Sequence, residues 1–399
     1  MRLATLVLGA ALAWTGAAHT ADFSSRNAPD PIGTTALVIT LGGAIVDGDV
    51  ERFGREASKS SPDGERVVVE LRSPGGSYVE GLLLAAAFRR AGAATVVRGG
   101  AECYSACALA FLGGAEPLRD VGVEGDDIPN QPPSRTLEPG GTLGFHAPYL
   151  DVPEASYSSA TVGEAYRAAV DGISLLIQLA DRLYVEPTEL PRLLEPDRNA
   201  AFMVDTVDAV RSLWIDYADR SLQFRNLPSI TPSMVRNACI NRWYHRQRRS
   251  ALPGYGIATR AMRDFEEGSE LLDNGEVGLG FGVRTVRQGT KRSWVAFTPI
   301  TMTPDGKEFL WCVFDSGLGS PRVLYRAAGT VEELFEPLGD GDFWEFSSSE
   351  GIVNPDADVG VPNGMLIVMD TVPADTPLAG VASVVASYQS EEKGLAAGR

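Results

Sequence analysis

Two strand-turn-helix units lie in tandem between Val67 and Gly114, and this repeat limits the fold of the chain more than any other feature of it. Val67 to Leu71 is a short β-branched run, Ser73 to Gly76 reads Ser-Pro-Gly-Gly and punctuates a turn, and Gly81 to Arg90 spaces its apolar residues as a helix does. Thr95 to Val97 reads as a second strand, and Ser105 then opens a helix carrying Ala106, Ala108, Leu109, Phe111 and Leu112. An earlier copy runs through Leu37 to Leu41, a turn at Gly42 to Gly48 and a helix over Asp49 to Ala57. The expected fold is α/β, a superhelix of ββα-type units around parallel strands with right-handed crossovers. Two such units set two helix amino termini side by side, a geometry that stabilises developing negative charge.

That geometry directs attention to Ser105. A serine is a poor nucleophile at its own pKa, so it needs a base within hydrogen-bond reach and an anion site beside it. A serine before Ala-Cys-Ala would by itself read as a helix N-cap. The glycine turn upstream allows close backbone approach and favours a nucleophile instead. The choice of base is narrow, because past the leader only His146 and His245 are present. His146 follows the strand end Leu143 to Phe145 and precedes Ala147 and Pro148, whereas His245 sits between Tyr244 and Arg246 in a helix and reads as solvated or structurally satisfied.

Ser-Pro-Gly-Gly at 73 to 76, the small-residue segment around Ser105 and Gly-Phe-His-Ala-Pro at 144 to 148 resemble the Clp peptidase and crotonase superfamily, and within it the Clp-type serine peptidases. The resemblance covers about residues 34 to 216. It implies Ser105 as nucleophile, His146 as base, and an oxyanion hole from the amides of Gly76 and Ala106. It also places an orienting residue shortly before Phe202. Asp197 is the nearest acid there, Asn199 lies closer to the family position, and a chain lacking the third member stays open. In that family the helix corresponding to Ser159 to Leu183 helps join subunits, so a homo-oligomer is an option. The plain reading of that helix is an amphipathic packing element.

Composition bounds the setting. Residues 1–21 carry Arg2, an apolar run from Leu3 to Trp14 and small residues at 16 to 18 and 21, the pattern of a cleaved secretory signal. The expected location is the periplasm or outside the cell, with no integral membrane segment. Among 399 residues the formal charge is −17, which argues against nucleic acid as a partner; Arg242, Arg246, Arg248 and Arg249 read as a solvated face. Export makes Cys103, Cys107, Cys239 and Cys312 disulfide candidates, and local pairing within each half is the simplest arrangement. A zinc site is disfavoured because neither histidine is spaced with the cysteines, so no metal and no cofactor are expected.

The chain divides into a signal at 1–21, a loose leader at 22–33, the ββα domain at 34–220, a linker helix at 221–250, a mostly β C-terminal domain of unknown type at 251–390 and a tail at 391–399. Glu116 to Gly141, rich in acids, prolines and glycines, reads as an exposed loop, either a lid or a tolerated insertion. Short helices are expected at Thr188 to Leu194 and Asp205 to Arg211. Gly278, Gly280 and Gly282 do not match the dinucleotide fingerprint.

The leading expectation is an exported serine hydrolase, a peptidase working on peptides or unfolded segments through an acyl-enzyme without an ATPase module. The alternative is a degenerate domain that binds extended peptides or a protein partner. Acyl-CoA chemistry conflicts with export. A lysine base has one candidate, Lys59, upstream of the whole motif. Thiolate chemistry at Cys103 or Cys107 competes with oxidation to a disulfide.

Overall fold

The computed structural model describes residues 21–29, 35–60, 66–116, 131–148, 156–195, 201–219, 222, 231–246, 248–256 and 368–397, together with the backbone of strands within 283–353. The main sheet holds β1 (Asp22–Pro29), β2 (Thr35–Gly42), β3 (Arg66–Arg72), β4 (Ala94–Val97), β6 (Arg135–Leu137) and β9 (Asp216–Tyr217) in that spatial order. All neighbours after β2 are parallel, while β1 runs antiparallel to β2. A second sheet is built from β5 (Glu102–Tyr104), β7 (Thr142–Phe145) and β8 (Phe202–Met203), with β5 and β7 parallel. The described chain is therefore mixed α/β with a parallel-rich sheet.

Apolar residues on both faces explain the parallel pairing. Leu37, Ile39, Leu41, Val67, Val69 and Leu71 enter the main core, while Ala36, Val38, Val68, Ala94 and Val96 form a second cluster. A strand buried on both sides needs an unbroken apolar run, and 67–69 supplies one. The helices α1 (Asp49–Ala57), α2 (Tyr78–Arg90) and α3 (Ala106–Phe111) follow as the sequence predicts. Phe53 of α1 meets Phe88 of α2 edge to face, with ring centroids 4.7 Å apart.

Several expectations are corrected. Asp22–Pro29 is an edge strand and not a loose leader, joined to the sheet through Arg26, whose guanidinium pairs with Glu70 at 2.8 Å. The segment read as a loop from Glu116 to Gly141 contributes β6, which lies between β4 and β9 in the main sheet. Pro132, Pro133 and Gly140 hide a strand this short, and residues 117–130 lie outside the described ones.

Helix α4 (Ser159–Leu179) buries only Gly172 and Leu176. The expected helix from Thr188 is a single turn, α5 (Leu190–Leu193), and α6 (Val207–Ser212) occupies the third helical position.

Helix α7 (Pro232–Arg246) is a core helix rather than a linker: Met234, Val235, Ala238, Cys239 and Ile240 are buried. Its Arg242 and His245 are buried too, which overturns the solvated-face reading for Arg242. Arg248 lies over the Tyr184 ring at 4.2 Å and pairs with Asp181, while Arg249 is exposed. Asn237 and Asn241 donate to the carbonyls of Thr371, Asp370 and Val372, which fixes α7 to the 3-10 turn Val368–Thr371.

Antiparallel strands occur here as β10 (Val283–Gln288), β11 (Lys291–Ala296), β12 (Pro299–Met302), β13 (Phe309–Asp315), β14 (Arg322–Ala328) and β15 (Ile352–Val353). The described residues from 368 onward do not continue the β pattern. Val368, Met369, Val372, Leu378, Val381 and Val385 join the core of the parallel sheet, and α8 (Val381–Ala397) runs through most of the stretch read as a tail.

Candidate functional site

The glycine turn and the Ser105 turn are pressed together. Gly75 and Gly76 have φ of 104° and 144°, conformations that a side chain resists. A Cβ on Gly76 would fall 2.1 Å from the Ile45 carbonyl oxygen, and one on Gly75 would fall 2.7 Å from the Ser105 Cβ. The turn is held by the Gly75 amide donating to Ser73 Oγ at 3.1 Å and by the Ile45 amide donating to the Gly75 carbonyl at 2.8 Å. It also joins the second sheet, because the Ser73 amide donates to the Glu102 carbonyl at 2.9 Å and the Tyr104 amide donates to the Ser73 carbonyl at 3.1 Å.

Ser105 itself has φ 57° and ψ −122°, outside the regions an L-residue ordinarily adopts. Its amide donates to the Gly144 carbonyl at 2.9 Å and its carbonyl accepts from the Leu109 amide at 3.0 Å. The hydroxyl makes no capping hydrogen bond to α3, so the plain N-cap reading does not describe it. A disulfide joins Cys103 to Cys107 across Ser105, as local pairing predicts, and so removes both thiols as rival nucleophiles. Among the described residues, neither the Gly76 nor the Ala106 amide donates a hydrogen bond. Two such N–H groups flanking a serine can receive an oxyanion.

His146 follows β7 directly. Its Nδ1 lies 2.8 Å from the Ala147 carbonyl oxygen. In the tautomer with the proton on Nδ1, the ring donates to this carbonyl and Nε2 carries the lone pair that a base needs. Ser105 and His146 line one cleft of about 450 Å³, together with Pro74, Gly76, Ser77 and Tyr78. Helix α4 closes the far side with Ala165, Ala168 and Ala169, spaced so that three small side chains share one face. None of the described lining residues is Asp, Glu, Lys or Arg.

Asp197 and Asn199 lie outside the described residues, but both edges of their segment are placed. The Glu195 carbonyl accepts from the Ala147 amide at 2.9 Å, and Phe202 pairs with Phe145, their rings stacked 6.3 Å apart. Glu195 and Phe202, which flank that segment, are thus each tied to the strand and turn that carry His146.

Sequence reasoning missed the α4 wall and the roles of Ser77 and Tyr78. Ser77 donates to Asp47 Oδ1 at 3.1 Å and caps α2 by accepting from the Glu80 amide. The Tyr78 hydroxyl is buried with no hydrogen-bond partner among the described residues, and burial pushes its pKa up. Its ring packs where α4 carries Gly172, whose missing Cβ would lie 3.1 Å from the ring. The alanine spacing on α4 was a readable signal; the Tyr78 contact depends on a crossing of two helices and was not.

The other candidates are accounted for. His245 is buried, its Nδ1 bonded to the Arg211 carbonyl and its ring 4.6 Å from that of Trp214. Lys59 pairs with Glu56 at 2.6 Å at the end of α1 and does not line the Ser105 cleft. Among the described residues no three His, Cys, Asp or Glu side chains group as a metal site would require. Cys239 is disulfide-bonded, and the side chain of Cys312 lies outside the described residues. No described helix is long and apolar enough to cross a membrane.

Comparison with models of known protein families finds none that matches the chain, and comparison with curated proteins finds no relative.

Proposed function

We propose that this chain is an exported serine hydrolase with a Clp/crotonase-like superhelix of ββα units, acting as an ATP-independent peptidase on peptides or unfolded segments. The observation that carries the reading is Ser105, held at positive φ against the glycine turn and sharing one cleft with His146. Ser105 Oγ attacks the substrate carbonyl and passes its proton to His146 Nε2. The oxyanion is received by the amides of Gly76 and Ala106. The protonated imidazole then delivers its proton to the departing amine, and water resolves the acyl-enzyme by the reverse roles. Asp197 is the proposed orienting carboxylate, which would accept the Nδ1–H in place of the Ala147 carbonyl. The uncharged lining favours an acyl portion without charge, and the disulfide fits an oxidising compartment such as the periplasm.

A fluorophosphonate probe tests the reading. The parent protein should label at Ser105, and Ser105→Ala should lose the label with its melting temperature unchanged. Full labelling of the variant would overturn the assignment. Replacing the base, His146→Ala, should slow labelling by about 100-fold or more.

A second reading, a peptide-binding domain without catalysis, is favoured by one observation. On the same helix as the three cleft alanines, Val162, Tyr166 and Val170 are exposed, Tyr166 at 71%. A parent protein that fails to label but binds unfolded peptide supports that reading instead.

A further inference from the structure

We propose that the Cys103–Cys107 disulfide is a positioning element for Ser105, holding the serine turn in its reactive conformation rather than holding the domain together; the inference rests on the reading of Ser105 as nucleophile. Cys103 lies in the middle of β5, paired with Leu143 on β7 and bridged to Ser73 beside the glycine turn. Cys107 is the second residue of α3. Ser105 is midway between them, so the bond closes a ring across a residue whose φ of 57° and ψ of −122° lie outside ordinary geometry.

A residue at φ 57° and ψ −122° relaxes unless its surroundings oppose the change. Three non-covalent restraints do so: the Ser105 amide on Gly144, the Leu109 amide on Ser105, and the contact with Gly75. Each can break separately. Rotation of Ser105 to helical values would swing α3 away from β5, and the disulfide is the restraint that directly opposes that swing. Any reorientation would also carry the Ala106 amide away from Gly76 and disperse the proposed oxyanion hole.

Loop length argues for a local role. The stabilisation from a cross-link grows with the residues enclosed, and a separation of four is near the short extreme. The bond removes little freedom from the unfolded chain, while it constrains the one turn on which the proposed chemistry depends. Both cysteines are fully buried, which suits a permanent clamp and not an exposed redox handle.

The test compares the parent with Cys103→Ala/Cys107→Ala, using fluorophosphonate inactivation kinetics and amide hydrogen exchange at temperatures where both are folded. The expected result is a fall in the maximal inactivation rate of about 100-fold, with the concentration for half-maximal rate unchanged, because misplacement of the nucleophile affects the step and not the encounter. Exchange at the Ser105 and Leu109 amides should quicken by about tenfold or more while the amides of β2 and β3 keep their protection. Unchanged inactivation and unchanged exchange overturn the proposal. If the parent does not label at all, the nucleophile assignment fails, and the clamp stands or falls on the exchange result alone. If the alanine pair does not fold, Cys103→Ala/Cys107→Val restores buried volume and replaces it in the same measurements. Failure of both pairs to fold overturns the local role in favour of a bond needed by the whole domain.

Discussion

Gly75 shows how little room the site leaves. An added methyl at Gly75 would collide with Ser105 Cβ at 2.7 Å and with the Tyr104 carbonyl at 2.8 Å, both parts of the turn that carries the serine. Gly75→Ala is expected to destabilise by about 1 to 3 kcal/mol, the cost of a side chain at a strained position with no space, and to slow probe labelling as well. Urea unfolding and labelling rates measured on one preparation check both effects. A variant with parental stability and labelling would show that the turn adapts. The Tyr78 hydroxyl belongs to the same scale: burial raises its pKa, so it stays neutral and able to donate through the physiological range.

Three helices end on one buried side chain. Arg135, fully buried on β6, donates to the carbonyls of Leu112, Leu183 and Leu213 at 2.6, 2.5 and 2.7 Å. Leu112 and Leu213 are the C-caps of α3 and α6, and Leu183 lies just past the end of α4. No carboxylate is bonded to this guanidinium among the described residues, and burial pulls its pKa well down, with Arg89 adding to the effect. The partial negative charge of helix carbonyl ends supplies the compensation that a carboxylate would otherwise give. Arg135→Met should cost about 3 kcal/mol or more, because three carbonyls would lose their donor in a dry interior. A chemical-denaturation midpoint close to the parent's would refute this.

The edge strand offers a pH-dependent case at the same scale. Burial raises the Glu70 pKa, but hydrogen bonds from Arg26 and Arg98 outweigh it, and the carboxyl ends below its ordinary value of 4.5. A depressed folded pKa means the contribution is complete above about pH 4.5 and is lost as pH falls through the lower folded value. Denaturant midpoints between pH 7 and pH 3 should show Glu70→Gln less acid-sensitive than the parent. Parallel curves would assign the acid response elsewhere.

For the molecule as a whole, the C-terminal return is the feature to test. Arg211 of α6 and Asp370 of the 3-10 turn form a buried pair at 2.8 Å that links positions far apart in sequence. Burial lowers the Arg211 pKa, partly offset by Asp370. Asp370→Ala would strand a buried guanidinium and should destabilise by about 3 to 5 kcal/mol, read by thermal or urea unfolding. A loss below 1 kcal/mol would mean the segment contributes little to the core. Mass mapping without reduction should recover Cys239 joined to Cys312. Such a closure of about 70 residues is worth about 4 kcal/mol in the chain-entropy account, and a peptide linking Cys239 to any other cysteine would refute it.

What was legible in the sequence was local or periodic. The Val67 to Val69 run, the Ser-Pro-Gly-Gly turn, the helical spacing of α2 and α4 and the close cysteine pair each depend on neighbours within a few residues, so propensity and steric rules reach them. The short strand β6 was hidden because three residues carry almost no periodic signal and prolines and glycine surround them; the main sheet, through Arg135, decides its place. Helix α7 read as a basic linker because its arginines dominate the composition. Its burial was decided by a segment more than a hundred residues later folding back onto it. Sequence paired Ser105 with His146 through their motifs and through the scarcity of histidines. Tertiary structure alone decided the cleft they share and its α4 wall, since the parallel crossovers that place β5 beside β7, and α4 beside both residues, arise from burying apolar faces throughout the chain.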